Sequence, residues 1–163
     1  MIDKFAVRAA QLDDLDVIVE LRIALLREYH NHPFYAGLRS DATVRARELY
    51  HAQLLSEHET MFVAERESGI VGVLRCVDTL SSPLLLPERY CYISSVYVRP
   101  AERYKGVLCA LMAAAEQWCE DRCIGEMRLH SASASPVAQQ AWHALGFEVV
   151  EQVRRRAVHA GAR

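Results

Sequence analysis

The stretch YISSVYVRPAERYKGVLCALM, residues 92–112, changes its period midway. The chain leading into it alternates apolar and polar residues, the period of a strand. From Val107 onward apolar residues recur every three or four positions, as on one face of a helix. Between the two halves sit Pro100, Arg103, Lys105 and Gly106. A proline helps end sheet pairing, and a glycine lets a ligand approach the backbone. A helix start leaves backbone N–H groups unpaired and carries partial positive charge, which suits a phosphate. Arg103 and Lys105 add formal charge, and an arginine can grip phosphate oxygens in a fork. A plain strand-to-helix turn with solvated charges fits the same residues. A P-loop does not, because no Gly-Lys-Ser/Thr run follows.

Working outward, residues 5–9 read as a short strand. Asp13, Asp14 and Asp16 stand where a helix start prefers negative charge. Leu15, Ile18, Val19, Arg22, Leu25, Leu26 and Tyr29 follow at helical spacing, with Arg22 the one polar member. Pro33 and Gly37 break that helix, and Ser40 or Asp41 caps a second one running to about Ser56. Residues 60–65 and 70–77 form a hairpin about Glu67, Ser68 and Gly69. Residues 81–87 are a proline-bounded loop, and residues 90–98 are the next strand. A helix is expected from Tyr104 to about Arg122, a strand over 126–130, and a helix over 136–145 ended by Gly146. Residues 147–150 and 153–158 are expected as final strands. The predicted order, β-α-α-β-β-β-α-β-α-β-β, is an α/β fold of the α+β type around one sheet.

The chain has 163 residues and shows no repeat or linker, so one domain over 1–163 is expected. A formal charge of -2 gives no reason to expect nucleic acid as a partner. No apolar run has membrane-spanning length and the start has no signal-peptide pattern, so a cytoplasmic protein without a membrane partner is expected. The odd set Cys76, Cys91, Cys109, Cys119 and Cys123 forms no CxxC pair and fits free thiols in a reducing compartment. No metal site is expected. His30 and His32 lack further spaced ligands. Arg154, Arg155 and Arg156 alternate faces on an expected strand and read as a solvated edge.

Val96, Val98, Pro100, Arg103 and Gly106 resemble the acetyl-CoA motif of the GNAT N-acetyltransferase superfamily. That pattern is a valine-bearing strand, a proline, then Arg/Gln-x-x-Gly-x-Gly/Ala opening a helix. Leu108 departs from it where a small residue is usual. A second signature, Asn-x-x-Ala, an aromatic and Gly-Phe, is similar to Ser135, Ala138, Trp142, Gly146 and Phe147. The resemblance spans nearly the whole chain. It implies a single mixed, mostly antiparallel sheet flanked by helices, with acetyl-CoA as cosubstrate and no metal.

It also implies that the backbone of Val96, Tyr97 and Val98 holds the pantetheine arm, with the Val98 amide toward the thioester oxygen. The amides of Tyr104, Lys105, Gly106, Val107 and Leu108 would hold the pyrophosphate, with Arg103 beside it. Leu108 either crowds the phosphates or turns into the core. Ser135 either replaces the asparagine near the cofactor arm or caps the helix at Pro136. Trp142 replaces a usual tyrosine; it either lies against the cofactor, where its indole N–H can donate a hydrogen bond but will not deliver a proton near neutral pH, or packs in the core. Protonation of the leaving thiolate then falls to solvent.

The implied reaction is acetyl transfer to a primary amine of a small molecule or peptide. It needs a neutral amine and a stabilised oxyanion. Many relatives carry acidic residues before the valine strand; this chain has Ser94 and Ser95, which position water but are poor bases. His130 is the nearest titratable candidate, read either as the base or as a histidine bonded at a strand end. The loops 30–37 and 80–89 flank the implied site. Phe34, Tyr35, Leu84, Leu85 and Leu86 suit a substrate with an apolar body, or else a homodimer contact. A non-catalytic acyl-CoA-binding or interaction protein on the same fold is the alternative that the missing carboxylates, Trp142 and Leu108 favour.

Overall fold

The structure, a computed structural model, describes residues 4–158. Residues 1–3 and 159–163 of the expected domain lie outside the described residues. The chain divides into two compact units, Met1–His130 and Ser131–Arg163.

In the first unit, β1 (Ala6–Ala9), β2 (Glu59–Arg66), β3 (Gly69–Leu80), β4 (Arg89–Val98) and β5 (Met127–Leu129) form one sheet in that order. The first four pair antiparallel, and β5 joins β4 in parallel, so the sheet is mixed and mostly antiparallel as expected. α1 (Leu15–Glu28) and α2 (Ala42–Leu54) cover one face. Their core joins Ile18, Leu21 and Tyr50 to Met61, Val63, Val73 and Tyr97. α3 (Val107–Asp121) covers the other face.

Alternation along the strands makes this two-sided burial possible. Val73 enters the α1/α2 core, while a Cβ at neighbouring Gly72 would stand 3.0 Å from Val107 Cγ1 and 3.3 Å from Leu111 Cδ1 of α3. Gly72 therefore lets α3 lie close on the sheet.

The pairing of β3 with β4 is interrupted once. Tyr97 pairs with Val73 but Ser94 pairs with Arg75, so two residues of β4, Ser95 and Val96, oppose Leu74. Ser95 sits at φ 53, a conformation uncommon outside glycine. This is a β-bulge, and it reverses which parity of β4 faces each side. Tyr97, paired with Val73, thereby joins the α1/α2 core on the same face as even-numbered Ser94, which pairs with Arg75.

The helix expected from Tyr104 starts instead at Val107, because Tyr104 takes φ 62 and Gly106 φ 82. Both lie in left-handed space, where a right-handed helix cannot begin.

The second unit holds α4 (Pro136–Ala144), with Gly146 just past its end. The strands expected over 147–150 and 153–158 are not formed. Residues 148–158 lie in neither helix nor strand, and Val149, Val150, Val153 and Val158 are exposed. β-branched composition gives strand propensity, but a strand needs a partner ladder, and none pairs with these residues among those described. Arg154, Arg155 and Arg156 are accordingly exposed outside any strand, not on a strand edge.

Candidate active site

β5 pairs with β4 only through Cys91, Tyr92 and Ile93. From Ser94 to Val98, β4 continues with β3 on one side and no strand on the other among the described residues. The bulge falls at the start of this one-sided length. It leaves main-chain donors and acceptors of β4 facing an open edge, the arrangement to which an extended amide-bearing chain can add.

The open edge runs into the turn before α3. The first helical bond there is Ala110 N–H to the Gly106 carbonyl at 3.0 Å. The amides of Val107, Leu108 and Cys109 thus have no helical acceptor. A Cβ at Gly106 would meet nothing within 4 Å, so space over the helix start is open. Tyr104 and Lys105 are exposed, and Leu108 is half-buried.

Arg103 is already engaged: Nε donates to the Val98 carbonyl at 3.0 Å and Nη2 to Glu28 Oε2 at 2.7 Å, with the guanidinium over the Tyr97 ring. Lys105 Nζ lies 3.5 Å from Glu102.

The α1/α2 face of the sheet carries polar groups beside this edge. Tyr50 and Ser95 share a hydrogen bond at 3.1 Å between their hydroxyls, which ties α2 to the bulge. Arg75 donates through Nη1 to Ser94 Oγ at 3.1 Å and through Nε to Glu59, a pair of largely buried side chains. Both serines are therefore committed to protein partners.

His130 is exposed, just past β5, and its Nδ1 lies 2.9 Å from the Tyr92 hydroxyl. The two rings meet edge-on at 5.6 Å. Burial pushes the Tyr92 phenol up and Tyr35 adds to that rise, while the guanidinium groups of Arg75 and Arg22 oppose it.

In the second unit, Ser135 caps α4, its hydroxyl accepting from the Ala138 amide at 3.3 Å. Trp142 packs edge-on against Phe147 at 5.6 Å. Among the described residues no group of three or more His, Cys, Asp or Glu could hold a metal ion, and no helix is long and apolar enough to cross a membrane.

Sequence reasoning does not single out Tyr92, Arg75, Glu59 or Tyr50. Strand alternation does place Tyr92 with Ser94. The partners Arg75 and Glu59 depend on strand register, and Tyr50 on a bulge, and one sequence reveals neither.

The Acetyltransferase (GNAT) family model matches residues 18–147. No curated protein matches the sequence significantly. Among solved structures, a predicted acetyltransferase from Clostridium acetobutylicum with acetyl-CoA superposes at a TM-score of 0.77 and 16% identity, over 94% of this chain and 96% of that one. AAC(6')-Iy in complex with a CoA bisubstrate analogue gives 0.75 and 22%, over 96% and 99%. A mutant Bacillus halodurans protein gives 0.81 and 18%, over 94% and 99%.

Proposed function

The chain belongs to the acetyltransferase (GNAT) family, and from that premise we propose that it moves an acetyl group from acetyl-CoA to a primary amine of a small molecule or peptide. The observation that carries this reading is the one-sided length of β4 beyond its bulge, leading into the open, glycine-bearing start of α3.

In this reading the pantetheine arm adds to Val96, Tyr97 and Val98 as a further strand would, and the Val98 amide serves the thioester oxygen. The pyrophosphate lies over the amides from Tyr104 to Leu108, with Lys105 supplying charge. Arg103 stands beside it and braces the corner through Val98 and Glu28. Acetyl-CoA-bearing fold relatives support the cosubstrate. Ser135 and Trp142 act in the second unit as helix cap and packing residue, and the family match runs across both units, consistent with one functional domain over 1–163. The five free thiols suit a cytoplasmic protein. Exposed Leu84, Leu85 and Leu86 suit an acceptor with an apolar body or a homodimer contact.

The reaction requires the amine to lose a proton before attack. The amine nitrogen then bonds to the thioester carbon, the C–S bond breaks, and the departing thiolate takes a proton from solvent. His130 is the base in this mechanism. When its Nδ1–H donates to the Tyr92 oxygen, Nε2 keeps the free lone pair. Ser94 and Ser95 are the weaker choice for holding a proton-carrying water, because Arg75 and Tyr50 already occupy them.

Thiol release from acetyl-CoA across a panel of amines tests the reading. Amine-dependent release is the expected result. Acetyl-CoA binding with no release for any amine would favour the non-catalytic acyl-CoA-binding alternative. The absence of any acetyl-CoA effect on thermal stability at millimolar concentration would defeat both.

A further inference from the structure

Arg22 stands at the centre of the buried face of α1. At about 100° per residue it falls between Ile18 and Val19, which are 1% and 5% exposed. Leu15 and Leu26 flank it on the same face, and Leu15 is also buried. A cation at such a position normally has a carboxylate partner, since an unpaired charge loses hydration without return.

Arg22 is half-buried and makes no hydrogen bond or ion pair among the described residues. The neighbouring carboxylates on α1 are taken by other cations. Asp16 pairs with Arg47, Glu20 with Arg99 and Glu28 with Arg103. On the sheet face that α1 covers, Glu59 is held by Arg75. The local balance of Arg22, Arg75 and Glu59 is therefore one positive charge. Arg75 reaches Ser94 beside the bulge, and α1 packs against β3 and β4 on that same face of the sheet.

We propose that Arg22 is the acceptor-recognition residue of this site, and that the acceptor is a primary amine bearing a carboxylate, of the amino-acid type. This rests on the acetyltransferase reading and narrows its substrate. The carboxylate supplies the counter-ion that the protein withholds from Arg22. The amine end then lies toward the bulge and His130. The aromatic side chains of Phe34 and Tyr35, both exposed in the loop after α1, suit an apolar side chain on the acceptor. A polycationic acceptor does not suit this face, where the carboxylates just named are already paired.

The test compares L-phenylalanine, its decarboxylated form phenethylamine, the dipeptide Phe-Gly and the aminoglycoside kanamycin. L-Phenylalanine should be acetylated with kcat/KM about 10- to 100-fold above phenethylamine, the range of a charge-assisted hydrogen bond. Phe-Gly distinguishes a free amino acid from a peptide as the source of the carboxylate. Arg22→Gln should raise KM for L-phenylalanine by a similar factor, leave phenethylamine unchanged and leave the acetyl-CoA KM unchanged, and Arg22→Lys should recover part of the loss.

A direct binding arm is independent of turnover. With CoA present, N-acetylphenylalanine should bind more tightly than N-acetylphenethylamine, and Arg22→Gln should abolish the difference. Equal rates with and without the carboxylate, a preference for kanamycin, or loss of acetyl-CoA affinity in Arg22→Gln would overturn the proposal while leaving acetyl transfer intact. Failure of every amine together with equal binding of the two acetylated products would overturn both.

Discussion

His130 and Tyr92 meet through one hydrogen bond of 2.9 Å, outside the apolar core. The proposed base role makes two demands on that pair. The histidine must take up a proton and release it, and Nε2 must stay free. His130→Gln should therefore lower kcat by about 10²–10⁴-fold with little change in acetyl-CoA affinity. The ascending limb of the wild-type pH–rate profile should disappear in the variant. Retained rate with an unchanged profile would show that another group carries the proton. Asp14 illustrates the other use of a polar residue. It accepts both Nη1 and Nη2 of Arg8, at 2.7 and 3.0 Å, and the Gln11 amide at 2.8 Å. The hydrogen bond from Arg8 holds its carboxyl below the usual range, against the opposing effect of burial. The stabilisation is fully present above the unfolded carboxylate value of about 3.9 and is lost as pH falls through the lower folded one. Asp14→Asn should cost about 1–3 kcal/mol near neutral pH. Denaturant unfolding of both proteins should show the gap narrowing as pH falls below about 3.9; a gap that widened there would reverse the sign of the linkage.

β3, β4 and α3 act together through one close approach. With a Cβ at position 72, Val107, Leu111 and the Tyr97 carbonyl, all between 3.0 and 3.3 Å away, must give way. Gly72→Ala should destabilise by about 1–3 kcal/mol through overpacking. It should also weaken acetyl-CoA, because Val107 begins the helix whose amides are assigned to the pyrophosphate. A stability loss with unchanged acetyl-CoA affinity would separate the helix position from cofactor binding. Most elements are legible from periodicity: the α1 stripe, the hairpin about Gly69 and the helix after Gly106 need only local patterns. Two features are not. The bulge at Ser95 is set by pairing with Arg75 and Val73, so simple alternation puts Tyr97 on the wrong face. Valines alone predict the final strands, but strand formation is a pairwise property and their partner is not written locally. For the site, the glycine-bearing turn is visible in the sequence, whereas the bonds that occupy Arg103, Ser94 and Ser95 depend on Glu28, Arg75 and Tyr50, all distant along the chain.

At the scale of the whole molecule, one sheet brings together groups drawn from distant parts of the sequence: the open edge of β4, the start of α3, the inner face of α1 and the end of β5. The acetyltransferase family match and the fold likeness agree with that organisation. The central proposal is that acetyl-CoA lies along β4 beyond the bulge and across the start of α3. Backbone amide NMR during titration with acetyl-CoA tests this placement most directly. Saturable shifts should concentrate at residues 94–98 and 104–108, with the β1 and β2 amides largely unmoved. Saturable binding that left both segments unmoved, or no shift at millimolar acetyl-CoA, would contradict it.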